Sequence, residues 1–158
     1  MNEPPGSRMA DGADASAASA HDAIVFDLGG VLVDWQPRYV YERVFDDATE
    51  LEFFLAEVCN GRFLALADAG GSAWDEAEAS LAARFPHYRE AIALFRPRWL
   101  DMLRGEIADS VSILRRLKDR GHRLRALTTW PADTFDESAP RLPCLELFEA
   151  VVVSGREG

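Results

Sequence analysis

The sequence predicts an α/β protein: a Rossmann-like parallel sheet of about three strands, with an α-helical cap inserted after the first strand. Short β-branched runs alternate with segments of helical periodicity, and each run ends in polar residues or glycine. A long block of helical pattern separates the first run from the others. This order of strand, helical insert, helix, strand, helix and strand is typical of parallel sheets with right-handed crossovers.

The first strand is predicted at Ala23–Phe26, because a continuous apolar run of this kind is typical of a strand buried on both faces. Asp27 and the pair Gly29 and Gly30 follow it directly. Ligands of open α/β sheets bind at the carboxyl ends of the strands. The residues after this strand are therefore candidates for a site.

The helical cap is predicted over residues 36–104, where apolar residues recur at helical spacing. Thr49 and Glu52 have the Thr-x-x-Glu spacing of a capping box, which predicts that a helix begins at Thr49.

Two further strands are predicted at Leu124–Thr128 and Ala150–Val153. A helix capped by Asp109 or Ser110 and ended by Gly121 precedes the second strand. Residues 23–35 and 105–158 then form a partial core. Residues 1–22 lack large apolar side chains apart from two methionines, and we predict a disordered tail there.

Composition excludes several classes of protein. The 158 residues carry 27 acidic and 17 basic side chains, a net charge of -10, so we expect no nucleic-acid partner. No apolar run has the length of a membrane span, so we expect no membrane partner. Cys59 and Cys144 are far apart and form neither a disulfide framework nor a zinc motif. A cytoplasmic protein is the simplest interpretation.

Polar residues stand where the three predicted strands end: Asp27, Thr128 and Ser154. A carboxylate at such a position can act as a covalent nucleophile, and neighbouring glycines let backbone amides approach an anion. An aspartate after a strand is also a common turn residue, and Thr128 is by itself more typical of a structural strand end. The residues alone leave both interpretations open.

Three segments carry a resemblance to a known family. Ile24–Trp35, which reads IVFDLGGVLVDW, resembles the first motif of the haloacid dehalogenase-like hydrolase superfamily, in its phosphatase-like Asp-Leu-Gly-Gly branch. Leu127–Trp130 is similar to the second motif, and Val152–Gly158 to the segment leading into the third. The helical block matches the family's helical cap.

The resemblance implies phosphate-ester hydrolysis of a small phosphorylated molecule through an aspartyl-phosphate intermediate. Asp27 would be the nucleophile, and Thr128 would bind the transferring phosphoryl group. Asp27 and the carbonyl of Gly29 would hold Mg2+. The substrate would lie against residues at both motifs: Gly29, Gly30, Thr129 and Trp130.

Two departures from the family pattern keep alternatives open. Gly29 stands where the family's general acid is usual, which leaves dehalogenase-type displacement at carbon open. The family's third-motif lysine and fourth-motif acidic pair would lie beyond Gly158, so the chain is expected to be truncated and to bind Mg2+ weakly. The hydrolase is then expected to be nearly inactive as it stands, and a non-catalytic remnant or binding module is the alternative.

The same truncation predicts an exposed sheet edge. In this family the first strand is central, so without the strands that follow the third motif Ala23–Phe26 becomes an apolar edge. Such an edge is a template for pairing, and we expect self-association through it.

Overall fold

The computed structural model describes residues 23–61, 63 and 71–157. The tail predicted over residues 1–22 and the last residue of the third segment, Gly158, lie outside the described residues. The described part forms five strands: β1 (Ala23–Phe26), β2 (Val33–Trp35), β3 (Leu103–Glu106), β4 (Arg123–Thr128) and β5 (Ala150–Val153).

The predicted parallel sheet is confirmed. Strands β1, β4 and β5 pair in parallel in the order β1-β4-β5, with Val25 opposite Arg125 and Leu127 opposite Val152. Among the described strands β1 pairs with β4 alone, so it lies at the edge of the sheet as predicted.

The helices fall in the segments between these strands. They are α1 (Arg38–Tyr41), α2 (Ala48–Phe53), α3 (Gly71–Arg84), α4 (Arg89–Ala93), α5 (Ala108–Asp119), α6 (Ala132–Ser138) and α7 (Ser154–Glu157). A π-helical turn spans Phe54–Val58, and 3-10 turns span Pro86–Tyr88, Trp99–Met102, Ala139–Arg141 and Pro143–Leu147. The predicted cap region is therefore helical through most of its described length.

Among the described residues, one face of the parallel sheet is largely exposed, and we call it the bare face; this corrects the prediction that β1 is buried on both faces. Val25, Leu127 and Val152 are 58%, 48% and 39% exposed, whereas Leu124 and Ala126, which point the other way, are buried. The strand order explains this. Both crossovers advance in the same direction across the sheet, and right-handed connections put their helices on one face.

An antiparallel pair, β2 with β3, was not predicted by the sequence pattern. It joins the segment after β1 to the segment before α5, with Val33 opposite Glu106 and Asp34 opposite Gly105. The pair therefore brings the two ends of the helical block together beside the sheet.

Two predicted helix caps were wrong. The N-cap of α2 is Asp47, whose Oδ1 accepts hydrogen bonds from the amides of Thr49 and Glu50 at 2.7 and 2.9 Å. Glu52 instead pairs with Arg38 at 2.7 Å. The N-cap of α5 is Ile107, which offers no side-chain hydrogen bond.

A single cluster of buried apolar residues runs from the sheet into the helical block. Two buried polar groups inside it have partners: the Tyr41 hydroxyl donates to the Ala91 carbonyl at 3.0 Å, and the Trp99 indole N–H donates to Ser138 Oγ at 3.1 Å. The buried indole nitrogen of Trp74 has no hydrogen-bond partner among the described atoms. Within residues 23–61, 63 and 71–157, no helix combines the length and the apolar character needed to cross a bilayer.

Candidate active site

The loop after β1 presents Asp27 at the carboxyl end of the sheet. Asp27 is exposed, and its Oδ1 accepts a hydrogen bond from the Leu28 amide at 2.6 Å. The Leu28 carbonyl accepts from the amides of Leu32 and Val33, both at 2.9 Å, so the chain makes one tight turn. Gly30 has a φ of 73° in this turn, a conformation that favours glycine.

The loop after β4 carries the second predicted motif. Thr128 is 1% exposed, and its Oγ1 accepts a hydrogen bond from the Trp130 amide at 3.4 Å. Thr129, the next residue, is exposed, and Trp130 is buried. Thr128 is thus buried with its hydroxyl oxygen bonded within its own loop, while Thr129 is an exposed residue.

The two loops meet at a cavity of about 300 Å³. Its described lining comprises Asp27, Gly29, Gly30, Trp35, Trp99, Thr129 and Trp130. The loops approach closely, since a Cβ placed on Gly29 would lie 3.3 Å from the indole nitrogen of Trp130. A side chain at position 29 would press on this wall of the cavity.

Three tryptophans form that wall. Their ring centroids are 4.6 Å apart for Trp35 and Trp99, 5.5 Å for Trp99 and Trp130, and 6.3 Å for Trp35 and Trp130. The rings of Trp99 and Trp130 are nearly perpendicular, at 86°. The three indole rings that border the cavity are therefore not coplanar.

Most of the predicted site residues come together in this cavity. Asp27, Gly29, Gly30, Thr129 and Trp130 line it. Thr128 does not belong to the described lining. Ser154, the polar residue after β5, also lies outside it, and its buried Oγ has no hydrogen-bond partner among the described atoms.

Trp35 and Trp99 line the cavity but are not among the predicted site residues. Trp99 reaches the site because β3, which begins at Leu103, pairs with β2 and carries the preceding 3-10 turn with it. No local pattern around Trp99 signals that long-range pairing.

The predicted Mg2+ ligands, Asp27 and the Gly29 carbonyl, both belong to the described residues. Among the described residues, no group of three or more His, Cys, Asp or Glu side chains could hold a metal ion. Asp27 is the one acidic residue of the described lining. Mg2+ in proteins keeps several waters but is usually held by one or two carboxylates together with substrate phosphates. Asp27 and the Gly29 carbonyl would therefore need a substrate phosphate and water to complete such a site.

Comparison with known proteins gives no match: neither a protein-family model, nor a curated protein, nor a solved structure matches this chain.

Proposed function

We propose that the chain is a haloacid dehalogenase-like hydrolase that cleaves phosphate esters with Asp27 as its covalent nucleophile. The observation that carries this proposal is the convergence of Asp27, Gly29, Gly30, Thr129 and Trp130 on one cavity at the carboxyl ends of β1 and β4. The family resemblance assigns the nucleophile and the substrate contacts to these residues, and it assigns the phosphoryl contact to Thr128, the residue before Thr129. Ligands bind at this end of open α/β sheets.

The proposed reaction has two displacements. An oxygen of the Asp27 carboxylate forms a bond to phosphorus, and the bond from phosphorus to the ester oxygen breaks. Water then attacks phosphorus, which breaks the bond to Asp27 and restores its carboxylate. The protons of that water end on the released alcohol and on the phosphate, so the net reaction is hydrolysis. Splitting one displacement into two is the usual gain from a covalent nucleophile.

Thr129 is the hydroxyl donor that this proposal uses. It is exposed and lines the cavity, whereas Thr128, to which the resemblance assigns the phosphoryl contact, is 1% exposed and does not belong to the described lining. Magnesium stays a proposal from the resemblance alone, and no step above depends on it. The cytoplasm is the proposed compartment, because the free, buried thiols of Cys59 and Cys144 suit a reducing environment.

The test is hydrolysis of p-nitrophenyl phosphate by the full chain and two isosteric variants. Asp27→Asn removes the nucleophile and should abolish turnover. Asp34→Asn is the matched control, because Asp34 lies in the same segment but accepts a hydrogen bond from the Tyr39 hydroxyl at 2.7 Å and is not part of the described lining. Turnover that survives Asp27→Asn, or no turnover by the unaltered chain, would contradict the proposal.

A second candidate is displacement at carbon, and the charge of the lining favours it. The described lining holds no cationic side chain, so a phosphate dianion meets the Asp27 carboxylate without a compensating charge. An uncharged alkyl halide avoids that repulsion. Asp27 would form an ester to carbon as the halide leaves, and water would hydrolyse the ester to an alcohol and a proton. Halide release without phosphate release would identify this reaction.

A further inference from the structure

We propose that the cavity binds a compact organic cation, an ammonium or quaternary ammonium group, against its tryptophan wall. The juxtaposition that points to this is one carboxylate, Asp27, beside the indole rings of Trp35, Trp99 and Trp130 in a lining that contains no described basic residue.

The charge of the site separates three classes of ligand. An anion is repelled by Asp27. A neutral apolar group displaces water from the Asp27 carboxylate and gives nothing in return, which leaves a desolvated charge. A cation replaces the lost hydration with a charge interaction. The net charge of -10 acts in the same direction by concentrating cations near the surface.

The tryptophan wall suits an alkylated cation. The face of an indole ring carries negative electrostatic potential, and tryptophan is the best aromatic partner for a cation. Trp99 and Trp130 are 2% and 5% exposed, so they are held in place by packing and present only small ring surfaces. The centroid distance of 4.6 Å between Trp35 and Trp99 leaves no space between those rings. The cation therefore lies on the wall rather than between its rings.

The size of the cavity limits the ligand. About 300 Å³ is at the small end of the range for ligand pockets, which fits a molecule such as choline.

This inference also names a substrate class for the proposed function, and in that respect it rests on it. A phosphate ester of an amino alcohol carries its own positive charge next to the phosphoryl group. Such a substrate supplies the charge that the described lining lacks and reduces the repulsion between its phosphoryl group and Asp27. The ammonium group would lie on the tryptophan wall, while the phosphoryl group lies at Asp27.

The experiment compares two probes of the same shape on the full chain. One is choline, and the other is neohexanol, in which carbon replaces the charged nitrogen. Binding is followed by tryptophan fluorescence, since three of the four tryptophans line the cavity, and by calorimetry. We expect choline to bind about tenfold more tightly than neohexanol, a ratio within the range of cation–π and charge interactions. Equal binding of the two probes, or binding of neither, would overturn the inference.

Asp27→Asn supplies the second arm. It should weaken choline about fivefold to tenfold and should not weaken neohexanol, because it removes the charge and keeps the shape. Asp34→Asn, the control outside the described lining, should leave choline binding unchanged. A choline affinity that is the same in Asp27→Asn would also overturn the inference.

The two proposals fail separately in these experiments. If the chain prefers choline but Asp27→Asn keeps its turnover, the cation site stands and the assignment of Asp27 as the nucleophile is contradicted. Loss of turnover in Asp27→Asn combined with equal binding of choline and neohexanol would show the reverse.

Discussion

Because one face of the sheet is bare, we predict that two leucines of the same strand contribute differently to the free energy of unfolding. Leu124 and Leu127 both lie on β4 but point to opposite faces, and they are 0% and 48% exposed. Leu124→Ala should therefore cost about 2–5 kcal/mol of unfolding free energy, because it removes apolar contacts and leaves a cavity. Leu127→Ala creates no enclosed cavity, and losing its half-buried surface should cost about 1 kcal/mol.

The assay is urea denaturation of both variants beside the unaltered chain. Equal slopes against urea would show that the midpoints report stability differences. If Leu127→Ala costs as much as Leu124→Ala, the second face is covered and the account of the sheet is wrong. The measurement is repeated at two protein concentrations to test whether a second copy of the chain covers this face. Only in that case would the cost of Leu127→Ala depend on protein concentration.

Three further predictions concern a helix cap, a buried hydroxyl and the sheet edge. Hydrogen bonds from the amides of Glu50 and Thr49 lower the pKa of Asp47, so its stabilising effect is present above the ordinary carboxyl pKa of about 3.9 and is lost as pH falls through the lowered value. Asp47→Ala should thus destabilise the chain at neutral pH and have little effect in strong acid, whereas Asp47→Asn should keep most of the neutral-pH stability, both measured by urea denaturation across a pH series. Tyr41→Phe should cost about 1–3 kcal/mol in the same assay, because the Ala91 carbonyl loses its buried donor. Val25→Lys should convert a self-associated chain to monomer in sedimentation velocity at unchanged helix content, because Val25 is 58% exposed on the edge strand and lysine there enters no core.

Each of these has an outcome that contradicts it. If the effect of Asp47→Ala does not depend on pH, the ionised carboxylate of Asp47 is not the group that stabilises the start of the helix. An effect of Tyr41→Phe no larger than that of Tyr39→Phe, whose hydroxyl is only partly buried, would show that the Ala91 contact contributes little. A monodisperse monomer before any substitution would show that the edge at Val25 does not drive association.

The parallel strands could be predicted because their signal is local. Ala150–Val153 is observed with the bounds that its β-branched run suggested, and β4 begins one residue before its predicted start. The bare face could not be predicted in the same way. A continuous apolar run such as Ala23–Phe26 looks the same whether one or both of its faces are covered, since that depends on which elements pack there.

The helix caps were predicted wrongly for a different reason. Asp47 and Thr49 are both good N-cap residues and stand two positions apart, so the local sequence offers two starts for one helix. The structure uses Asp47, which leaves Glu52 free to pair with Arg38.

The residues of the candidate site also differ in whether their sequence signal is local. Asp27, Gly29 and Gly30 could be found because they follow a strand directly. Trp99 could not, because it reaches the cavity only through the pairing of β2 with β3, and the residues around it carry no sign of that pairing.

The central claim is that Asp27 becomes covalently phosphorylated, and borohydride trapping tests it most directly. Borohydride reduces an aspartyl phosphate to homoserine, which peptide mass spectrometry can locate in the chain. After incubation with p-nitrophenyl phosphate, we predict homoserine at position 27, and none there in Asp27→Asn. Homoserine at any other aspartate, or turnover of the ester with no homoserine at position 27, would contradict the account.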